Sequence, residues 1–291
     1  MRFEIDYTSE FKYPEPVWES QNLLRACPTT DARQTLLHYE LKTAPGARVH
    51  SYVDYWGTRV DAFGARAPHD RLSIHARSSV ETRPTGPMVA APAWKRLSDP
   101  AFLQTHLEYL VPSRHTAWNE ALRAEAEHRA APAGADIVGA VLSLHRMVGS
   151  SLAYVPGSTA VGVDVNDVLR GRKGVCQDFA HLLIAMCRSL GIPARYVSGY
   201  LFAERSESER EPQVESVKVK THAWAEVAIP GAGWWGLDPT NRQEVGPRHV
   251  KIGHGRDYDD VLPLRGVYFG GGEHQLDVCV SIRREASAQQ Q

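Results

Sequence analysis

The stretch that most constrains this chain is Arg172-Lys173-Gly174-Val175-Cys176-Gln177-Asp178-Phe179-Ala180-His181, the entry into an apolar helix predicted to run to about Leu190. Gly174 opens the turn, and Leu182, Leu183, Ala185 and Met186 continue the apolar pattern. Gly191-Ile192-Pro193 ends it, with a glycine stop followed by a proline that cannot extend a helix. A helix this apolar is buried, so the rest of the fold has to cover it. Cys176 then falls at its first positions, where unpaired backbone N–H groups and the positive end of the macrodipole favour an anion. A thiolate is such an anion, and it is the nucleophilic form of cysteine.

The 291 residues are 43% hydrophobic and 23% charged with a formal net charge of −1, enough chain for two cores of unequal size. That balance gives no reason to expect nucleic acid or an anionic membrane as partner. The opening Met1-Arg2-Phe3-Glu4-Ile5-Asp6 carries a charge at every second position and has no apolar h-region of a secretory signal. No apolar run approaches the roughly 20 residues of a membrane helix, so the reading is a cytoplasmic protein. The four cysteines, Cys27, Cys176, Cys187 and Cys279, form no CxxC pair. Cys176 and Cys187 stand about 16 Å apart along one helix axis and cannot bridge. Cys27, Cys187 and Cys279 read as small buried hydrophobes.

Residues 1–90 read as a β-rich domain, a small β-sandwich. Phe3, Ile5 and Tyr7 alternate with charged neighbours, as do Thr35, Leu37, Tyr39 and Leu41, and then Leu72, Ile74, Ala76, Ser78 and Val80. Asp54 to Thr58 reads as a turn. Residues 91–291 form a second domain, helical over 99–150. Asp99-Pro100 predicts a helix start with Pro at the first position. A second helix is predicted over Ala117 to Arg129, and a third from Asp136 with Ile137, Val141, Leu144 and Val148 on one face. Ser151 to Gly157 is a short extended piece, and Asn166 to Leu169 a short helix. Strands are predicted over 194–202, 221–229, 234–241 and 275–282. Glu204 to Ser216 is a charged, solvated loop, and the tail from Arg284 is frayed.

Within 166–241, Cys176, His222 and Asp238 come in the order nucleophile, base, orienter. The last two lie on adjacent strands of a hairpin, toward the same end, where a hydrogen bond between them can form. Imidazole takes the thiol proton, the ion pair stabilises thiolate, and the carboxylate fixes the imidazole tautomer. The cysteine N–H at the helix start is a natural oxyanion donor. Tyr154 and Gln177 are candidates for the second donor, against a plain core tyrosine and a solvent-facing first-turn residue. Trp224 is a candidate for contact with substrate, against the commoner role of a core aromatic on paired strands.

The words around these residues are more specific. Gly174 to Ala180, His222-Ala223-Trp224-Ala225-Glu226-Val227 and Trp235-Gly236-Leu237-Asp238-Pro239-Thr240 resemble the transglutaminase-like superfamily, closest to bacterial two-domain members. His249 to Ile252, Gly255 to Val261 and Leu264 to Val267 extend the resemblance, as do Tyr13 to Val17 and Leu24 to Pro28. It implies an α+β, papain-like core with a Cys176–His222–Asp238 triad, the nucleophile helix packed on an antiparallel sheet. It also implies acyl transfer or hydrolysis on amide or peptide bonds through a thioester, as a cysteine protease, amidase or transamidase. The acyl donor is then a protein, a peptide or a small amide, and the acceptor water or a primary amine. No cofactor is called for.

No metal site is expected. Asp178 lies about 200° around the helix from Cys176, so those two and His181 do not converge. His222 and Glu226 stand about 13 Å apart on a strand. Trp234 and Trp235 are cleft-lining or core residues. Gly270-Gly271-Gly272 lacks the Lys-Ser/Thr of a phosphate loop, and Arg256, Asp257 and Asp259 read as an internal ion-pair network. The reading from another class is a non-catalytic binding or scaffold protein that keeps the fold, for which a primed cysteine has no use.

Overall fold

The computed structural model describes residues 1–86, 88, 92–159, 162–202, 216–219, 221–270 and 272–285. The β-rich portion is organised by β1 (Arg2–Leu24), followed by β2 (Gln34–Ala44), β3 (His50–Val53), β4 (Arg59–Ala65) and β5 (His69–Thr82). The first half of β1 pairs with β5 and its second half with β4, with a register break between Lys12 and Val17. Phe3, Ile5 and Tyr7 are buried, as are Leu72, Ile74, Ala76, Ser78 and Val80, following the period of two. On β2 the alternation breaks. The pairing skips Leu37, which is left 45% exposed, because an extra residue in one strand throws its side chain off the core face.

The helical segment holds α1 (Pro100–His106), α2 (Glu120–Ala130), α3 (Ile137–Ser151), α4 (Val165–Gly171) and α5 (Cys176–Ser189), with two-residue strands β6 (Ala153–Tyr154) and β7 (Lys173–Gly174). Asp99 caps α1 by accepting the Ala101 N–H at 3.0 Å, with Pro100 at the first position. Asp136 does the same for α3 at Val138, 3.0 Å, and Ile137, Val141, Leu144 and Val148 are buried along one side. The second helix begins later than Ala117 because Asn119 is its cap, accepting the Leu122 N–H at 2.9 Å.

The remaining strands are β8 (Ala194–Leu201), β9 (Ser216–Val219), β10 (His222–Ile229), β11 (Gly233–Asp238), β12 (Gln243–Glu244), β13 (His249–Gly255), β14 (Leu264–Gly270) and β15 (Gln275–Arg284). Five of them form an antiparallel sheet in the order β12-β11-β10-β8-β13. The helix α5 packs on it, with Phe179, Leu183 and Met186 in one core with Ala223, Ala225, Val227 and Leu237. Tyr200, Phe202, Val250 and Ile252 join a different core, that of Phe3, Ile5 and Tyr7 in the β-rich sheet. The class is α+β, with antiparallel sheets.

The division of the chain at residue 90 needs correcting at its C-terminal end. β15 pairs with β1 from Phe3↔Arg284 to Lys12↔Gln275, and β14 pairs with it from Val17↔Gly270 to Leu24↔Leu264. These two strands belong to the β-rich sheet, which is one connected sheet of eight strands among the described residues. A 23-residue strand such as β1 has two long edges to satisfy, and β4 and β5 occupy only one of them. A buried charge cluster also crosses the junction. Glu226 of β10 accepts from Lys251 at 2.7 Å and Arg195 at 2.6 Å, and lies 3.3 Å from Arg33 of the β-rich portion. The charged loop predicted over 204–216 falls almost entirely outside the described residues, as does the tail beyond 285.

Candidate active site

Cys176 is the first residue of α5 and half-buried. Its turn is held by Asp178, whose Oδ2 accepts the Val175 N–H at 2.8 Å and the Thr159 hydroxyl at 2.6 Å. Asp178 is thus committed to the helix start, the dipole-complementing position its place in the first turn suggested. Gly174 makes the turn feasible. A Cβ there would stand 2.7 Å from both the Cβ and Oδ2 of Asp178.

His222 opens β10 and Asp238 closes β11, and the antiparallel register Ala225↔Leu237 brings those two ends together. His222 Nε2 lies 2.8 Å from Asp238 Oδ2. Nε2 is thereby committed to the carboxylate, and the neighbouring Cys176 is the second side chain that acts on the His222 pKa. Burial alone opposes charge on His222. The hydrogen bonds to Asp238 and Cys176 and the Asp238 charge outweigh it, and the pKa is raised to about 9. At neutral pH the imidazole therefore favours its charged form.

Asp238 is fully buried, which by itself would raise its pKa. Hydrogen bonds from His222, His249 and Asn241 reverse that and hold the carboxyl well below the usual carboxylate range. Asn241 donates from Nδ2 at 2.8 Å and from its backbone N–H at 3.2 Å. His249, first residue of β13, contacts Asp238 Oδ2 through Nε2 at 3.1 Å, while its Nδ1 accepts the Gly246 N–H at 3.2 Å. An Nδ1 that accepts carries no proton, so His249 is the Nε2–H tautomer and donates to Asp238. Its burial lowers its pKa and keeps it neutral.

The sequence reasoning gave His249 and Asn241 no role. The signal was there for His249, a lone imidazole beside the buried run Val250-Lys251-Ile252, but its partner Asp238 lies on β11, with β10 and β8 between the two strands. Trp224 is fully buried beneath both imidazoles, its ring centroid 5.3 Å from His249 and 6.2 Å from His222. A substrate therefore cannot reach it without displacing core. It fits because Gly199 leaves space: a Cβ there would lie 2.5 Å from the indole.

Tyr154 is 53% exposed on β6, and Val155 beside it donates to the Gly174 carbonyl at 3.0 Å. Partial burial and then the neighbouring Cys176 raise its pKa, which places the phenol close to the sulfur. Gln177 is half-buried in the first turn. Tyr196 and Tyr258, unassigned from sequence, also feel the Cys176 charge after burial, and both have raised pKa values. Trp234 and Trp235 line a groove of about 690 Å³ at the end of β11 remote from Asp238.

A thiol at a helix start, an imidazole beside it and a buried carboxylate behind form the arrangement of a papain-like, transglutaminase-type core. The chain belongs to the transglutaminase-like superfamily. Residues 124–239 match the model of the transglutaminase-like superfamily and residues 3–81 that of the bacterial transglutaminase-like N-terminal region. Protein ML0607 of Mycobacterium leprae is 38% identical over 98% of this chain and 99% of its own length. Protein Rv2569c of Mycobacterium tuberculosis is 33% identical over 97% of this chain and 92% of that one. A protein-glutamine gamma-glutamyltransferase of Pseudomonas aeruginosa is 34% identical over 112 residues, 38% of this chain and 16% of that enzyme. Among solved structures, a Cytophaga hutchinsonii protein proposed to be a cysteine protease shares the fold, with TM-score 0.73 at 24% identity over 96% of this chain and 90% of that one.

Proposed function

We propose that this protein is a cysteine-dependent acyl transferase or hydrolase acting on amide bonds of peptides or proteins, with Cys176 as nucleophile, His222 as base and acid, and Asp238 as orienter. The observation that carries this reading is His222 Nε2 at 2.8 Å from the buried Asp238 carboxylate, with Cys176 at the first position of α5 as its neighbour; the raised His222 pKa accords with it. With its raised pKa, His222 already holds the proton of the resting Cys176–His222 pair. The sulfur adds to the amide carbon, and the oxyanion faces the N–H groups of the first turn of α5. Collapse breaks the C–N bond, and imidazolium protonates the departing amine. The thioester then yields to water or to a primary amine, whose proton His222 accepts as the new bond forms. Tyr154, half-exposed and with a pKa raised by burial and then by Cys176, is our choice for the second oxyanion donor.

The Pseudomonas relative is named for glutamyl transfer and the Cytophaga structure as a protease, so the family supports both acceptors. No helix among the described residues is long and apolar enough to cross a membrane. All four cysteines are free, which supports a reducing compartment, the cytoplasm, as the place of action.

The test is intact-mass spectrometry during turnover of amide-bearing peptides, with and without a primary amine. An acyl adduct on Cys176, lost in Cys176→Ala and resolved faster by amine or water, supports the reading. If no peptide acylates the enzyme and Cys176 reacts with iodoacetamide no faster than a free thiol, the scaffold reading replaces it.

A further inference from the structure

Two clusters among the described residues bring His and Asp ligand atoms within 4.8 Å of one another. His222, Asp238 and His249 are accounted for by aligned hydrogen bonds. His115, Asp257 and Asp259 are not. His115 is 3% exposed, and neither of its ring nitrogens has a hydrogen-bond partner among the described residues. Its Nε2 nevertheless sits 3.0 Å from Asp259 Oδ1, close but out of hydrogen-bond alignment. A buried imidazole without partners is an unusual feature of a folded protein and calls for a missing group.

The surroundings leave carboxylate lone pairs open, although Arg188 acts electrostatically on Asp257 and Arg114 pairs with Asp259. Asp257 Oδ2 accepts the His115 backbone N–H at 3.2 Å and Oδ1 the Asp259 N–H at 3.0 Å, so both oxygens keep a lone pair. His181, stacked on His115 with ring centroids 5.3 Å apart, accepts the Tyr258 N–H through Nε2 at 3.2 Å. Arg188 is the buried cation nearby, but its N–H groups go to the Ala194 and Arg256 carbonyls and the Thr116 hydroxyl. Arg114 reaches Asp259 Oδ2 at 3.4 Å from an 80% exposed side chain.

We infer that His115, Asp257 and Asp259 bind one divalent transition-metal ion of the zinc type. One imidazole nitrogen and two carboxylate oxygens are a zinc donor set, and tetrahedral ligands at about 2.0–2.2 Å from zinc stand about 3.3 Å from one another, near the 3.0 Å between Nε2 and Oδ1. Asp259 is 38% exposed, which gives the ion a way in and water a fourth position. The ligands are 142 residues apart along the chain, beyond any set of near neighbours. The ion would clasp the 113–116 turn to the segment 257–259. Tyr258, between the two carboxylates in sequence, packs edge-on against Tyr196 of β8 with ring centroids 6.2 Å apart, so the clasp also bears on the sheet.

The experiment is titration of the chelator-stripped full chain with Co²⁺, read by its visible d–d absorption, together with the zinc content and melting temperature of the Zn²⁺-loaded protein. Wild type is compared with His115→Gln, Asp259→Asn and His222→Ala. The expected result is one equivalent in wild type and in His222→Ala, a higher melting temperature with Zn²⁺, and at least tenfold weaker binding in both ligand variants. Should His115→Gln not fold, the partly exposed Asp259→Asn decides the matter alone. Absence of binding in wild type overturns the proposal, as does binding that survives both ligand changes or that disappears with His222. None of these readouts depends on turnover, so the outcome is separable from that of the acyl-transfer reading.

Discussion

Exchanging Asp238→Asn isolates what the carboxylate does. Asn can still offer an oxygen to His222, His249 and Asn241, but not a charge. In the native site the imidazole pKa is raised to about 9 although burial pulls it down. Against the ordinary value near 6.5 that is about 3 kcal/mol in favour of imidazolium, supplied by Asp238 and Cys176 together. His222 is only 11% exposed at its side chain, so solvent screening takes little away. If Asp238 supplies half or more of the effect, its loss lowers the ratio of the imidazolium–thiolate pair to the neutral thiol–imidazole pair by about tenfold or more. The assay is brief iodoacetamide treatment at pH 6, 7 and 8 with intact-mass readout, Cys176→Ala establishing which sulfur reacts and His222→Ala the floor. Circular dichroism confirms that the variant is folded. Equal alkylation of Asp238→Asn and wild type, within twofold at every pH, would refute the argument that the carboxylate primes the thiol.

Other expectations follow from the same geometry. The raised His222 pKa makes a stability contribution that is fully present below about 6.5 and lost as pH rises through about 9, so the urea-unfolding difference between wild type and His222→Ala should shrink from pH 6 to pH 9.5. Glu226→Gln leaves Lys251, Arg195 and Arg33 facing one another in a buried junction and should cost about 3–5 kcal/mol in chemical denaturation; a loss below 1 kcal/mol would mean that the cluster is solvated. Gly174→Ala forces a Cβ to 2.7 Å from Asp178, and should cost about 1–3 kcal/mol and slow Cys176 alkylation together; lost stability with unchanged alkylation would show that the turn does not position the sulfur. Residues 91–291 expressed alone should show no cooperative unfolding transition, since β14 and β15 lose the strand they pair with.

What could be read from the sequence was local. The start and end of α5 are written in Gly174, Asp178, Gly191 and Pro193, because caps and stops act within a turn of the residues that make them. The buried faces of β1 and β5 follow from a period of two that needs no knowledge of the partner strand. The residues proposed here as nucleophile, base and orienter were also named from the sequence, since the short words around Cys176, His222 and Asp238 are specific. Tertiary structure decided the rest. That β14 and β15 return to β1 depends on which edge of a 23-residue strand is left open, a property of the assembled sheet. That Asp238 serves His249 and Asn241 as well as His222 depends on the order of strands, which brings β13 back beside β8. Trp224 alternates like a surface aromatic near a site yet lies sealed over Gly199, a fit visible only once the two strands are paired. The cluster at His115, Asp257 and Asp259 joins residues with no sequence relation at all. Local propensity acts through the chain; long-range pairing and desolvation act through space, and only the fold says which distant residues share it.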